Sequence, residues 1–247
     1  MKKIKKYIRL LIDSYKKIKV EERLKKEFEN DIIAYNSLTT SESEKINHKY
    51  LFPCLYDKTQ FTEIDPIYFY QDSWAFEKIY HDKPAEHYDI GSQHVLVSMI
   101  SKITKLTMID IRPLSLPLET IHFVQGDITK LPFPNKSLKS LSSLCVIEHI
   151  GLGRYGDTID PKGSEKAFKE IDRVLDINAL FYFSVPVTDD DRIYYNAHRS
   201  FCEKTLFEKY LSNYDIIDKM YIAKGSMNAT YTKGHFNIGC YKLKKVK

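Results

Sequence analysis

From residue 87 onward, short apolar runs alternate with longer stretches whose apolar positions recur every three or four residues. The short runs at 87–90, 106–111, 121–125, 140–147 and 179–185 predict five strands. The first ends at Gly91-Ser92, the second is stopped by Pro113, and the fifth is almost continuously apolar and closed by Pro186. Between them, 94–103 predicts a helix, and 164–175 predicts another from Ala167, Ile171, Val174 and Leu175. A further helix is expected over 202–211, and closing strands over 221–223 and 236–243. Strands that alternate with helices imply a mostly parallel α/β sheet with helices on both faces.

The first third of the chain has a different pattern. Ile4, Ile8, Leu11, Tyr15 and Ile18 recur at spacings of three and four, with lysines filling the other positions. This is an amphipathic helix, which the charged run 21–30 continues. Residues 39–43, TTSES, read as a linker. Residues 51–70 are rich in aromatics and prolines, which predicts irregular structure at the domain edge. Asp72 and Ser73 are expected to cap a helix over 74–80. The organisation expected is a basic helical extension and linker over 1–50 and one α/β domain over 51–247.

Charge sharpens this division. The chain has a net charge of +5, yet Lys2, Lys3, Lys5, Lys6, Arg9, Lys16, Lys17 and Lys19 oppose only Asp13 in the first 19 residues. That stretch carries +7, so the remainder sums to −2. A general nucleic-acid reader spreads positive charge over its binding face, and here it is confined to one helix, so no nucleic-acid partner is expected. The helix is instead a candidate for peripheral contact with an anionic membrane or a partner. No run approaches the roughly 18 apolar residues of a membrane span, and the first residues do not form a signal peptide. Cys54, Cys145, Cys202 and Cys240 lie far apart with no CxxC pair, which fits a reducing compartment. A cytoplasmic location is expected.

In an open α/β sheet, ligands bind beyond the carboxyl ends of the strands. The first four strands deliver an acid there: Asp89 before Gly91-Ser92, Asp110, Asp127 after Gly126, and Glu148 before His149. A carboxylate at the end of the second strand, about 20 residues past the glycine turn, can accept from both hydroxyls of a ribose. Asp110 has that place. Gly91 lets the backbone approach a ligand with no Cβ in the way. Asp127 is placed to accept from an adenine amino group.

The stretch 89–186 resembles the class I S-adenosylmethionine (SAM) methyltransferases. The resemblance rests on YDIGS, MIDIRP, FVQGDITKLPFPNKSLKSLSSLCVIEHIG and FKEIDRVLDINALFYFSVP. It implies a Rossmann-like sheet of seven strands, mostly parallel, with an antiparallel last strand. It further implies SAM as cofactor. Asp89, Gly91 and Ser92 would surround its methionine part, Asp110 with Ile111 its ribose, and Asp127 with Ile128 its adenine, while Leu144 or Cys145 would line the floor beside the sulfonium. GLGRYGD and NAHR resemble a bacterial subgroup associated with surface-polysaccharide pathways, which suggests a small polar or carbohydrate-derived acceptor, sugar or nucleotide-sugar. The sequence departs from the family at the first turn, where Gly91-Ser-Gln-His94 keeps one glycine of a usual GxGxG.

Methyl transfer to a hydroxyl is helped by a general base near neutral pH. The candidates are His149 and His198. Glu148, Arg154, Tyr155, Asp157, Asn196 and Arg199 surround them in sequence and are expected to bind the acceptor. The guanidinium of Arg199 is suited to an anionic group. His81, His87 and His94 have no metal-ligand spacing, so no metal is expected. A nicotinamide-dependent enzyme is disfavoured by the absence of GxGxxG. A non-catalytic methyltransferase-like scaffold or binding module, favoured by the single-glycine turn, is the alternative.

Overall fold

The computed structural model describes residues 2–247, with side chains from residue 8 onward, and separates into two compact units, Met1–Glu63 and Ile64–Lys247. In the first unit, helix α1 spans Lys2–Leu38. Ile4 and the lysines at 2, 3, 5 and 6 lie outside the described side chains. Past the helix, Asn36 Oδ1 accepts from the Ile46 amide at 2.9 Å, so the following segment turns back on the helix end. Among the described residues no helix is long and apolar enough to cross a membrane.

The second unit opens with α2, Pro66–Asp82, eight residues earlier than the patterning suggests. Asp65 caps it, accepting from the amides of Ile67 (2.8 Å) and Tyr68 (3.4 Å), and Pro66 occupies the first turn, where its missing N–H costs nothing. Asp72 and Ser73 therefore sit mid-helix and cap nothing, and residues 66–70 are helical, not irregular. Asp65-Pro66 was the start signal, obscured by the aromatic residues around it.

The sheet then builds as β1 Glu86–Ile90, α3 His94–Ile100, β2 Lys105–Asp110, β3 Ile121–Gln125, β4 Leu138–Leu144, α4 Gly163–Val174 and β5 Leu175–Val187. A separate hairpin of β6 Arg192–Tyr194 and β7 His198–Ser200 follows. Next come α5, Glu203–Thr205, with a π-helical turn over Leu206–Tyr210, and then β8 Tyr214–Ala223, β9 Ser226–Asn228 and β10 Asn237–Lys245. The strand order is β3-β2-β1-β4-β5-β10-β8-β9. The first five strands pair in parallel, and β10 enters antiparallel between β5 and β8. This is the expected mostly parallel sheet with its antiparallel last strand. The three-residue β9 adds an eighth strand by hairpin to β8. β8 starts at Tyr214, seven residues before the predicted 221, because its outer half, Asp215 to Lys219, is largely exposed and sets two adjacent isoleucines among charges, with no alternation to mark the strand.

Alternate residues of β5 feed opposite faces, with Phe181, Phe183 and Val185 in one core and Tyr182 in the other. The first core adds Phe168 and Ile171 of α4. The second adds Leu96 and Ile100 of α3, together with Trp74 and Ile79 of α2. Trp74 is therefore a core residue. Strand order reverses between β1 and β4, and helices cover each face, so a crevice opens at the carboxyl ends of these strands.

Candidate functional site

A cavity of about 720 Å³ occupies that crevice. Its walls are the ends of β1, β2 and β4, the segment 126–129 after β3, the loop 111–118, and the loop 149–163. Of the residues expected to hold a cofactor, Gly91, Ser92, Asp110, Ile111, Asp127, Ile128, Leu144 and Cys145 all line it. Sequence separations of up to 54 residues between Gly91 and Cys145 are closed by parallel pairing, because each strand delivers its last residue to the same edge.

Gly91 has φ +65°, and a Cβ there would lie 3.2 Å from Val146 Cγ1 and 3.8 Å from Asp110 Oδ2. The glycine thus keeps open the space between β2 and the β4 loop, in a backbone conformation that other residues rarely adopt. Asp110 Oδ1 accepts from the Arg112 amide at 2.8 Å. Asp127 Oδ1 accepts from the amide and hydroxyl of Thr129 at 2.7 and 2.8 Å. Each carboxylate spends one oxygen on its own turn. Among the described residues nothing donates to the other oxygen.

Asp89 does not line the cavity. It is fully buried one layer below, where Oδ1 accepts from the Ser92 amide at 3.0 Å and Oδ2 from the Ser142 hydroxyl. Because that hydroxyl donates to Asp89, its oxygen is left to accept from His87 Nε2 at 2.9 Å. His87 Nδ1 then accepts from the Ser140 hydroxyl at 2.7 Å. The donors all run toward Asp89, a direction that requires an acceptor-only carboxylate at its end. Burial raises Asp89 to about 6, opposed by the bonds from Ser142 and Ser92, and pushes His87 down to about 3. Asp89 therefore props Ser92 from beneath, and the Ser92 hydroxyl in turn accepts from the Leu144 amide at 3.1 Å.

At the end of β4 the chain turns sharply through Cys145, which has φ +52°. Such a conformation costs about 1–3 kcal/mol in a non-glycine residue. The amide of Cys145 is held by Ser184 of β5, donating to both its carbonyl (3.0 Å) and its hydroxyl (2.9 Å). Beyond the turn, Glu148 is buried and its Oε2 has no partner. Burial raises its carboxyl to about 8, so it is a neutral acid at pH 7. His149 lines the cavity, and its Nδ1 lies 2.6 Å from the Ala197 carbonyl. A carbonyl can only accept, which places the proton on Nδ1 and leaves a lone pair on Nε2, 3.7 Å from Glu148 Oε1. Burial pushes His149 down to about 4.

The two candidate bases are now distinguished. His198 is absent from the cavity wall. Its ring sits between Tyr194 (4.9 Å) and Phe236 (5.6 Å), with Nε2 buried and unpartnered. Of the expected acceptor residues, Tyr155 and Asp157 line the cavity, whereas Glu148, Arg154, Asn196 and Arg199 do not. The carboxylate of Asp157 is committed to its own loop, accepting from the amides of Gly151 (2.7 Å), Gly153 (3.3 Å) and Tyr155 (3.2 Å). Arg154 donates to the Ala197 carbonyl at 3.1 Å. Asn196 occupies the β6–β7 turn with φ +62°.

Arg199 is a correction to the expectation of an anion receptor. It is 7% exposed, and its guanidinium donates to the Ile150 carbonyl, the Ser164 hydroxyl (3.0 Å) and the carbonyls of Pro161 (3.3 Å) and Asp160 (3.4 Å). It clamps the two ends of the 149–163 loop to the hairpin.

Tyr68 of α2 also lines the cavity, and the sequence did not single out Arg112, Leu114, Leu118 and Thr129, which line it too. Arg112 lies over the ring of Tyr155, its guanidinium carbon 4.7 Å from the centroid, so the β2 loop meets the 149–163 loop there. Its place two residues after Asp110 was the one available signal.

No curated protein matches the chain by sequence. The family described as Caenorhabditis protein of unknown function, DUF268, matches residues 130–232. Among solved structures, the N-methyltransferase NodS from Bradyrhizobium japonicum WM9 aligns with TM-score 0.52 and 11% identity over 75% of this chain and 100% of its own. The YcgJ protein from Bacillus subtilis aligns with TM-score 0.51 and 15% identity over 72% and 99%. The cyclase SpnF aligns with TM-score 0.51 and 12% identity over 71% and 81%. The fold is that of the class I methyltransferases.

Proposed function

We propose that the crevice binds SAM and that the protein transfers a methyl group to a small polar acceptor. The observation that carries this is the pair of half-used carboxylates, Asp110 and Asp127, at the ends of adjacent strands beside the glycine-opened turn. A ribose diol and an adenine amine supply the donors that Asp110 Oδ2 and Asp127 Oδ2 lack. Gly91, Ser92, Leu144 and Cys145 would border the methionine part, with Asp89 supporting Ser92 from below. Ile111 and Ile128 would supply apolar walls for the nucleoside. SAM, when bound, supplies a methyl group made electrophilic by a positive sulfur.

The remaining wall serves the acceptor. His149, neutral across the physiological range, takes the acceptor's proton on Nε2 while Nδ1 stays anchored on Ala197. Glu148, itself uncharged, does not tie up that nitrogen by ion pairing. The Tyr155 ring already carries the guanidinium groups of Arg112 and Arg154, whereas Tyr68 offers aromatic surface against which a sugar ring can pack. This supports a carbohydrate-derived acceptor, in line with the sequence resemblance to polysaccharide-associated methyltransferases, and O-methylation with it. The same fold in a cyclase shows that architecture alone does not specify the chemistry.

The test is calorimetric titration with S-adenosylhomocysteine, with NAD and NADP as controls. Binding of the first alone is expected, with its loss in Asp110→Ala. Absence of binding by the wild-type chain would transfer the weight to a scaffold role, and unchanged affinity in the variant would remove the ribose assignment.

A further inference from the structure

Every residue of α1 from Ile8 to Val20 is exposed. At about 100° per residue, Ile8, Leu11, Tyr15 and Ile18 fall within an arc of about 80°, with Ile12 at its margin. These five side chains are between 47% and 60% exposed. Arg9, Lys16 and Lys17 point to the other side, Lys19 borders the stripe with its Nζ 5.6 Å from the Tyr15 ring centroid, and Asp13 is the single acid of the segment. Leu10 and Val20 are the apolar residues outside the stripe.

We propose that the first half of α1 lies in the surface of an anionic phospholipid bilayer. The apolar stripe would enter the boundary between headgroups and acyl chains, while the basic side chains reach lipid phosphates. The charge favours this occupant. The first 19 residues carry a net +7, which an anionic leaflet attracts. A second copy of the helix would have to bring two such charges together. The spacing 8, 11, 15, 18 also matches a coiled-coil seam, but the next seam positions are Glu22 and Lys25, so the repeat ends well short of the three or four heptads a coiled coil needs. From there the stripe is not continued: charged residues pair along the helix, Lys25 with Glu21 at 2.9 Å and Arg23 with Glu27 at 3.6 Å, and Leu24, Phe28, Ile32 and Tyr35 fall on a different face. The inference is independent of the proposed reaction.

The test is co-sedimentation of the full chain with phosphatidylcholine vesicles, with and without phosphatidylglycerol, accompanied by sedimentation equilibrium. Binding more than about tenfold stronger to the anionic vesicles is expected, weakening with salt. It should be lost both in Leu11→Gln/Tyr15→Gln, which keeps the charge, and in Lys16→Gln/Lys17→Gln, which keeps the stripe. An unchanged melting temperature shows that each variant is folded. Equal binding to both vesicle types, retention in the Leu11/Tyr15 variant, or a dimer abolished by that variant without vesicle binding would each overturn the proposal.

Discussion

Replacing Arg199 with methionine keeps much of the side-chain volume and removes the guanidinium. Its two stronger bonds, to the Ile150 carbonyl and the Ser164 hydroxyl, and the two longer ones, to the Pro161 and Asp160 carbonyls, are lost together. Bonds from a charged donor contribute about 1.5–3 kcal/mol each. Part of this is offset because a buried charge no longer has to be desolvated. A net loss of about 3 kcal/mol is expected, which at about 2–4 °C per kcal/mol for a unit of this size lowers Tm by about 6–12 °C. Arg199→Lys should fall between, since one ammonium can reach only part of that set. Differential scanning calorimetry measures the first effect. Titration with S-adenosylhomocysteine follows the second, because the clamped loop carries His149, Gly151 and Tyr155 on the cavity wall. If Arg199→Met kept its Tm and lost only affinity for an anionic acceptor, the clamp would be wrong and a receptor role for this arginine would be restored.

Three further outcomes follow from the site. Glu148, raised to about 8 from an ordinary 4.5, holds a proton in the folded state that the unfolded chain has released, so it lowers stability as pH rises across that interval. His149, pushed from 6.5 to about 4, acts in the opposite direction only up to 6.5; Tm should therefore fall between pH 6.5 and 8, and Glu148→Gln should flatten that slope, a persistent slope counting against the burial argument. Gly151→Ala would place a Cβ 2.0 Å from the Asp160 carbonyl oxygen at φ +81°, whereas Gly156→Ala, at φ +87°, meets nothing within 4 Å. The second should cost about 1–2 kcal/mol of backbone strain and the first clearly more, so equal urea midpoints would refute the crowding. Ser142→Ala removes the donor to Asp89 Oδ2 and should raise that carboxyl beyond about 6. S-adenosylhomocysteine affinity should then weaken at a higher pH on acidification than in the wild type, and coincident pH profiles would disconnect the buried chain of donors from the site.

Much of this protein was legible in the sequence, for identifiable reasons. A strand buried on both faces needs an uninterrupted apolar run, so β5 and the helix α4 were visible as patterns, and β3 was located to the residue. In a parallel sheet every strand ends at the same edge, so Gly91, Asp110, Asp127 and Cys145 could be assigned to one crevice without coordinates. The charge asymmetry of α1 is likewise a property of order along the chain. The sequence was silent where partners come from distant segments. Periodicity does not reveal that Arg199 meets the carbonyls of 150, 160 and 161, or that Ala197 anchors His149 and so separates it from His198. Nor does it reveal that the three oriented hydrogen bonds ending on Asp89 place it beneath the cavity floor. A residue's type limits which bonds it can make, but burial and the direction of its neighbours' donors decide which it does make, and those exist only once the sheet has brought the segments together.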